Sequence, residues 1–239
     1  MINYRELGNR HKDQYPAGVE LVNDFVSSLQ KRGLLPKRFP QSVDSKAPEQ
    51  MQTINFSEKT KEALTSDGAV LYLPKSKSLK DQQREGRNFG FIVDASSRRF
   101  LTLRARPIEV AIYPDPQRFF VPESFNKAKN KQEELVKDDA DALRKRLGVE
   151  DITEIIPEVS EATEILFEHL GEAGIRLLGK DYDYLYMRTN TPTNESGSYV
   201  ASVGYFSALI GPYVLDWNVD EGFPSIGAAR WVVPAQIEN

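Results

Sequence analysis

Few side chains in this sequence are able to do chemistry. Its 239 residues include no cysteine and only two histidines, His11 and His169. That excludes thiol nucleophiles, disulfide scaffolds, iron–sulfur clusters and thiolate-bound zinc. A serine–histidine triad or a His-based zinc site is handicapped for the same reason. His169 follows Glu161, Glu164 and Glu168, but a di-metal helix needs Glu three residues before His. Leu166 holds that position, on an apolar stripe, so the acids read as a solvated helix face. Asp181-Tyr182-Asp183 has the Asp-x-Asp look of some sugar transferases and is better explained as a strand-edge turn. Gly86-Arg87-Asn88-Phe89-Gly90 lacks the glycine spacing of a phosphate loop and precedes a strand rather than a helix. No cofactor is expected.

Charge points the same way. The pairs Arg84/Arg87 and Arg98/Arg99 have no interleaved aromatics, and the net charge is −4. Both features argue against a nucleic-acid partner. No apolar run approaches the roughly 18 residues of a membrane helix. The opening Met1-Ile2-Asn3-Tyr4-Arg5-Glu6 lacks an apolar signal core. A cytoplasmic site is the default expectation, with surface display left open.

The composition changes after Lys180, the last lysine. Residues 199–230 contain no Lys, Gln or Met and one Glu, whereas the equally long stretch 123–154 holds 11 residues of these four types. The segment draws on Tyr, Ser and Gly with one Asn, types that adaptable binding surfaces use because rigid rings give contact area at low entropy cost. A twisted, half-buried meander would enrich Tyr and Val as well.

The elements that must position these residues follow from periodicity. Helices are expected over 17–33, 58–66 (capped by Asn55 or Ser57) and 130–147, with Val136, Ala140, Leu143 and Leu147 on one stripe. A further helix follows Pro157, with Ala162, Leu166, Leu170 and Ala173 on its stripe and Gly171 or Gly174 at its end. The stretch 75–88 reads as a loop or frayed helix. Strands are expected at 69–73, 89–93, 100–104, 108–113, 119–121, 175–178, 184–188, 199–206, 213–217 and 228–233. Without alternating βαβ units, this is an α+β chain rather than a doubly wound one.

Strand, two helices and aromatic meander, in that order, resemble the C-type lectin fold. The closing run from Ile226 to Pro234, with Gly227 and Arg230, looks like the last strand of lectin-fold proteins of the formylglycine-enzyme kind. Val203-Gly204-x-Phe206 and Val214-x-x-Trp217 look like scaffold positions between freely varied ones. This is similar to the variable proteins of diversity-generating retroelements, including their archaeal branch. In that family a reverse transcriptase rewrites adenines near the end of the gene. The targeted codons never become Lys, Glu, Gln, Met or Trp, so Trp217 and Glu221 would be template-fixed. The resemblance covers 107–239, with 1–106 as an N-terminal elaboration packed on the same unit and a variable region at about 199–231.

The resemblance implies a non-enzymatic protein that binds varied partners, either a protein or a cell-surface ligand. Tyr199, Tyr205, Tyr213 and Phe223 are the candidate anchors. Ser202, Ser207, Asp216, Asn218 and Ser225 are the candidate polar contacts. Trp217 is read as scaffold, Gly204, Gly211 and Gly227 as backbone requirements, and Arg230 as the partner of an internal carboxylate. The sequence departs from calcium-dependent lectins. Trp217-Asn218-Val219-Asp220 carries one inserted residue, and no Glu-Pro-Asn is present. Two other readings stay open, an enzyme using Asp181, Asp183, Asp216 or Asp220, and a subunit of a larger assembly.

Overall fold

The computed structural model describes residues 53–174, 176–177, 184–207 and 211–235, all within a unit spanning Met51–Asn239. The expected helix 17–33, His11 and Asp181–Asp183 lie outside the described residues, as do residues 175 and 178 of the expected strand 175–178. The described part is α+β, with six helices and two sheets.

Helix α1 (Glu58–Ser66) starts where Ser57 accepts a hydrogen bond from the Thr60 N–H. Strand β1 (Val70–Tyr72) follows. Residues 79–84 form a regular helix, α2 (Leu79–Arg84), because Ser78 and Asp81 make a reciprocal capping box. After β2 (Phe91–Ile92) the chain departs from expectation. Residues 98–102 form helix α3 (Arg98–Thr102) rather than a strand. One helical turn buries Phe100 completely and leaves Leu101 40% exposed, a contrast that needs no strand partner. Strand β3 (Val110–Ile112) leads to α4 (Pro116–Phe119), where Asp115 caps and Pro116 supplies a ready-made first-turn φ. The expected strand at 119–121 is reduced to one bridge, Phe120 to Ala229.

Helix α5 (Lys129–Leu147) buries Val136, Ala140 and Leu143 and ends at Gly148, whose φ of 66° suits glycine. Strand β4 (Ile152–Glu154) was not expected, since three residues between two helices carry no readable alternation. Helix α6 (Val159–Ala173) starts two residues after Pro157, with Glu158 as its cap.

The meander then runs β5 (Tyr186–Pro192), β6 (Tyr199–Ser207) and β7 (Gly211–Asn218). The expected strand 228–233 forms only at its end, as β9 (Val232–Pro234), and β8 (Ile226–Gly227) lies before it. The two strands belong to different sheets, in the orders β2-β7-β6-β5-β8 and β1-β3-β9-β4. The four-stranded sheet is antiparallel throughout, and in the five-stranded one β2 and β8 pair parallel to their neighbours. Strands from residues 53–106 thus form an edge of each sheet. The main core holds Met187, Val203, Val214 and Trp231 with Ile165 and Leu166 of α6.

α6 overturns the expectation of a solvated acidic face. Every residue from Val159 to Leu166 is buried, including Glu161 and Glu164. Glu161 receives Arg106 in a bidentate pair at 2.6 and 3.0 Å. Glu164 accepts the Lys75 and Lys77 backbone N–H groups, and Lys75 pairs with Glu168 at 2.9 Å. Periodicity within the helix cannot register a layer contributed by residues 75–106, and that layer is what covers these acids. His169 is buried too, with Nδ1 2.6 Å from the Tyr72 hydroxyl. Burial lowers the His169 pKa and pushes Tyr72 up to about 12.

Candidate functional site

The five-stranded sheet has two unlike faces, and one extra residue decides what lies on each. From Gly204 to Ser207, β6 advances three residues while its partner β7 retreats two, from Tyr213 to Gly211. That is a one-residue bulge, and a bulge re-aims the side chains beyond it. Strict alternation would put Tyr205 on the same face as Ala201 and Val203, both fully buried. Instead Phe206 turns inward, 5.5 Å from the Phe167 ring, and Tyr205 turns outward, 4.8 Å from the Tyr213 ring. Tyr205 accepts a φ of 43° to do so, a strained value for a bulky residue.

The outer face carries connected rings. Tyr205 meets Tyr213 on one side and Tyr184 on the other, at 5.8 Å, and Tyr213 meets Phe91 of β2 at 6.3 Å. Tyr184 is 76% exposed and Phe91 47%. Two glycines let the rings lie close. A Cβ at Gly90 would fall 2.0 Å from the Tyr213 ring, and one at Gly204 would fall 2.1 Å from the Leu185 carbonyl and 2.6 Å from the Tyr186 ring. Burial raises the Tyr186 pKa, and the neighbouring Tyr213 and Tyr205 hydroxyls raise it further. Along β7, Tyr213, Leu215 and Trp217 share this face, and Trp217 stacks on Phe223 at 4.3 Å.

The nine candidates therefore do not form one surface. Tyr205 and Tyr213 come together, and Phe223, 40% exposed, sits at the far end of the same face. Tyr199, Asp216 and Asn218 fall on the opposite face by register. There Thr193 donates to the Asp216 carboxylate at 3.3 Å, and Asn218 Oδ1 accepts the Asp220 N–H at 2.9 Å. Ser202 is fully buried and offers no surface. The Ser225 carbonyl accepts the Tyr186 N–H, and Ser207 pairs with Gly211 in the bulged register. Phe91, Tyr184 and Tyr186 join the rings from outside 199–230. The crowding of tyrosines after Lys180 was a usable signal for the last two, whereas nothing near Phe91 pointed to a strand parallel to β7.

Sequence reasoning also missed Arg188. It is fully buried on β5, in register with Ser202. Its guanidinium donates to Gln132 Oε1 at 2.6 Å and to the carbonyls of Asn218, Glu221 and Lys127 at 3.2, 3.0 and 3.4 Å. With no carboxylate among these partners, burial lowers its pKa. Arg188 thus ties the connection after β7 to the start of α5. Arg230 does meet an internal carboxylate, Asp139, at 2.6 and 2.9 Å. Glu154 lies 3.7 Å from the same guanidinium with both oxygens sealed and unbonded. Burial and the Asp139 charge hold its carboxyl well above the usual range.

Two open clefts are present. One, of about 450 Å³, lies between α5 and residues 153–158 and includes Arg106, Lys137 and Asn190. The other, of about 350 Å³, includes Lys129, Pro192, Val200 and Asp220. Among the described residues, no His, Asp or Glu group is arranged to hold a metal, and no helix is long and apolar enough to cross a membrane. No protein-family model, curated protein or solved structure matches the chain.

Proposed function

We propose that this is a non-enzymatic ligand-binding protein of C-type lectin-like architecture, with its ligand carried on the outer face of the meander. The observation that carries this is the exposed ring array Phe91–Tyr213–Tyr205–Tyr184, held up by a strained bulge. Strain at a surface aromatic costs stability and is retained where function uses it. The lectin-like part of the reading draws on β3 and β9. These strands open and close residues 107–239 and pair antiparallel, with α5 and α6 between them in sequence. We further propose diversification by a retroelement, which rests on the codon-limited composition of 199–230.

The test is to sequence this region across a cell population together with the neighbouring DNA. The expected result is adenine-specific variation at Tyr205 and Tyr213 with Gly204 and Trp217 constant, beside a near-copy of the region and a reverse transcriptase gene. Invariant codons and no near-copy would refute diversification.

The enzymatic reading finds its best group in Glu154, whose carboxyl is desolvated as a general acid requires. Glu154 lines the 450 Å³ cleft, but its side chain has no exposure and both carboxyl oxygens are sealed.

A further inference from the structure

His169 is the one histidine among the described residues, and the binding role proposed above leaves it unused. It sits near the end of α6 and is 3% exposed. Its ring meets the Tyr72 ring edge-on at 6.1 Å, and Nδ1 lies against the Tyr72 hydroxyl. Nε2 is sealed from solvent and has no hydrogen-bond partner. A neutral imidazole needs one acceptor for its single N–H, and an imidazolium needs two. The Tyr72 oxygen can serve as the first, and the site holds no second. Protonation would therefore place an unanswered N–H and a charge in a buried position, which is costly.

His169 fastens one end of a strap. Residues 73–77 connect β1 to α2, and they are tied to α6 along their length. Lys75 and Lys77 donate their backbone N–H groups to Glu164, Lys75 Nζ pairs with Glu168, and Tyr72 holds the leading end on His169. Few charged or titratable groups surround the ring. β1 brings Tyr72, the strap brings Lys75, already engaged by Glu168, and α6 itself brings Glu168 and Glu172. α2 buries Leu79 and Gln82, with Gln82 bonded to Ser160 and Thr163. The β5–β6 face toward α6 presents Met187, Ala201 and Val203, all fully buried. Glu172 favours a charged ring, and burial outweighs it. The same stretch of α6 carries Phe167, whose ring lies 5.3 Å from Phe89 and 5.5 Å from Phe206 behind the bulge.

We propose that His169 and Tyr72 form an acid-sensitive latch between α6 and β1, in which protonation of the imidazole frees the strap 73–77 and loosens the last turns of α6. The latch stands whether or not the meander binds a ligand. The folded state disfavours the charged ring, so the contribution of the latch is complete above the unfolded His pKa of about 6.5. It is lost as pH falls from there to the lowered folded value, and it levels off below. Glu154 and Glu164 run the other way, since burial raises both. The signature of the latch is therefore the difference between the wild type and a His169 variant.

The experiment follows histidine-ring NMR and amide hydrogen exchange on the full chain from about pH 8 down to about pH 5. It compares the wild type with His169→Gln, His11→Gln and Tyr72→Phe, and thermal melting at neutral pH checks that each is folded. The ring signal that remains in His11→Gln should titrate below about 6.5. It should titrate lower still in Tyr72→Phe, which takes away the one acceptor. Exchange in residues 72–77 and 166–173, corrected for its intrinsic pH dependence and measured against α5, should rise as pH falls. The rise should reach about tenfold for each unit by which the folded pKa lies below the unfolded one. His169→Gln should remove it and His11→Gln should leave it. An ordinary His169 titration, a rise that survives His169→Gln, or one that vanishes with His11→Gln would overturn the latch. If His169→Gln does not fold, a His169 titration unmoved by Tyr72→Phe would overturn it alone.

Discussion

The two faces of the five-stranded sheet differ in how their side chains are satisfied. On the inner face, Met187, Val203 and Val214 are fully buried against the core that includes Ile165 and Leu166 of α6. The acids of that helix find partners in the layer from residues 75–106. On the outer face, rings lean on one another around Tyr205 and glycine positions make room for them, while Arg188 and Ser202 farther along the same face are fully buried. Where nearly every group is answered from within the molecule, the residues specify the fold. Where rings are left exposed, the ligand proposed above would meet them. Adjacent residues of one strand, Tyr205 and Phe206, stand on either side of this divide.

That adjacency gives the sharpest way to test the contrast. Phe206→Ala removes a buried ring from the core and should cost about 3–5 kcal/mol in denaturant unfolding. A cost below about 1 kcal/mol would place Phe206 outside the core and erase the distinction. Arg188→Met comes next. It strands a glutamine oxygen and three carbonyls, at about 1–3 kcal/mol for each group left unpaired and buried. Hydrogen exchange should rise first in residues 218–222, because Arg188 is what ties them down.

The third test concerns pH. Glu154 has a folded-state pKa raised above its unfolded value of about 4.3. Its contribution to stability is therefore complete below that unfolded value and is lost as pH rises through the raised folded value. Melting temperature should fall as pH rises across that window and level off above it, and Glu154→Gln should flatten the fall. An unchanged profile would mean the carboxyl is already charged in the fold. The smallest effect belongs to Tyr205→Gly. Relief of the positive φ is worth up to about 1 kcal/mol, against about 0.5–1.5 kcal/mol for the lost ring contact. Stability should stay within about 1 kcal/mol of the wild type while ligand binding drops. A large destabilisation would make Tyr205 a core residue.

Local rules made much of the fold legible. Ser57 as a cap, Gly148 as a stop and the apolar stripe Val136–Ala140–Leu143 each act within a few residues, and each appears in the structure. What escaped depended on distant chain. α3 looks like a strand until no partner arrives for Phe100, and the strand expected over 228–233 forms only at its end, where β9 finds β3 and β4. At the candidate site, the aromatic crowding located the right strands and a strict alternation would have faced Tyr205 the wrong way. The bulge follows from the pairing of Ser207 with Gly211, a relation between two strands that neither sequence carries alone. Ser202 and Arg188 show the same limit, since their burial depends on what lies over β5 and β6.

The position of β9 bears on how this protein is made. Residues 232–234 lie between β3 and β4, which have no hydrogen bonds to each other. During synthesis the four-stranded sheet must wait, in two halves, until Val232 has left the ribosome. The five-stranded sheet needs nothing beyond Gly227 for its pairing. The meander can therefore close before the rest of the molecule does. A nascent chain stalled between Gly227 and Val232 would display the ring-bearing face on a body whose other sheet is still open.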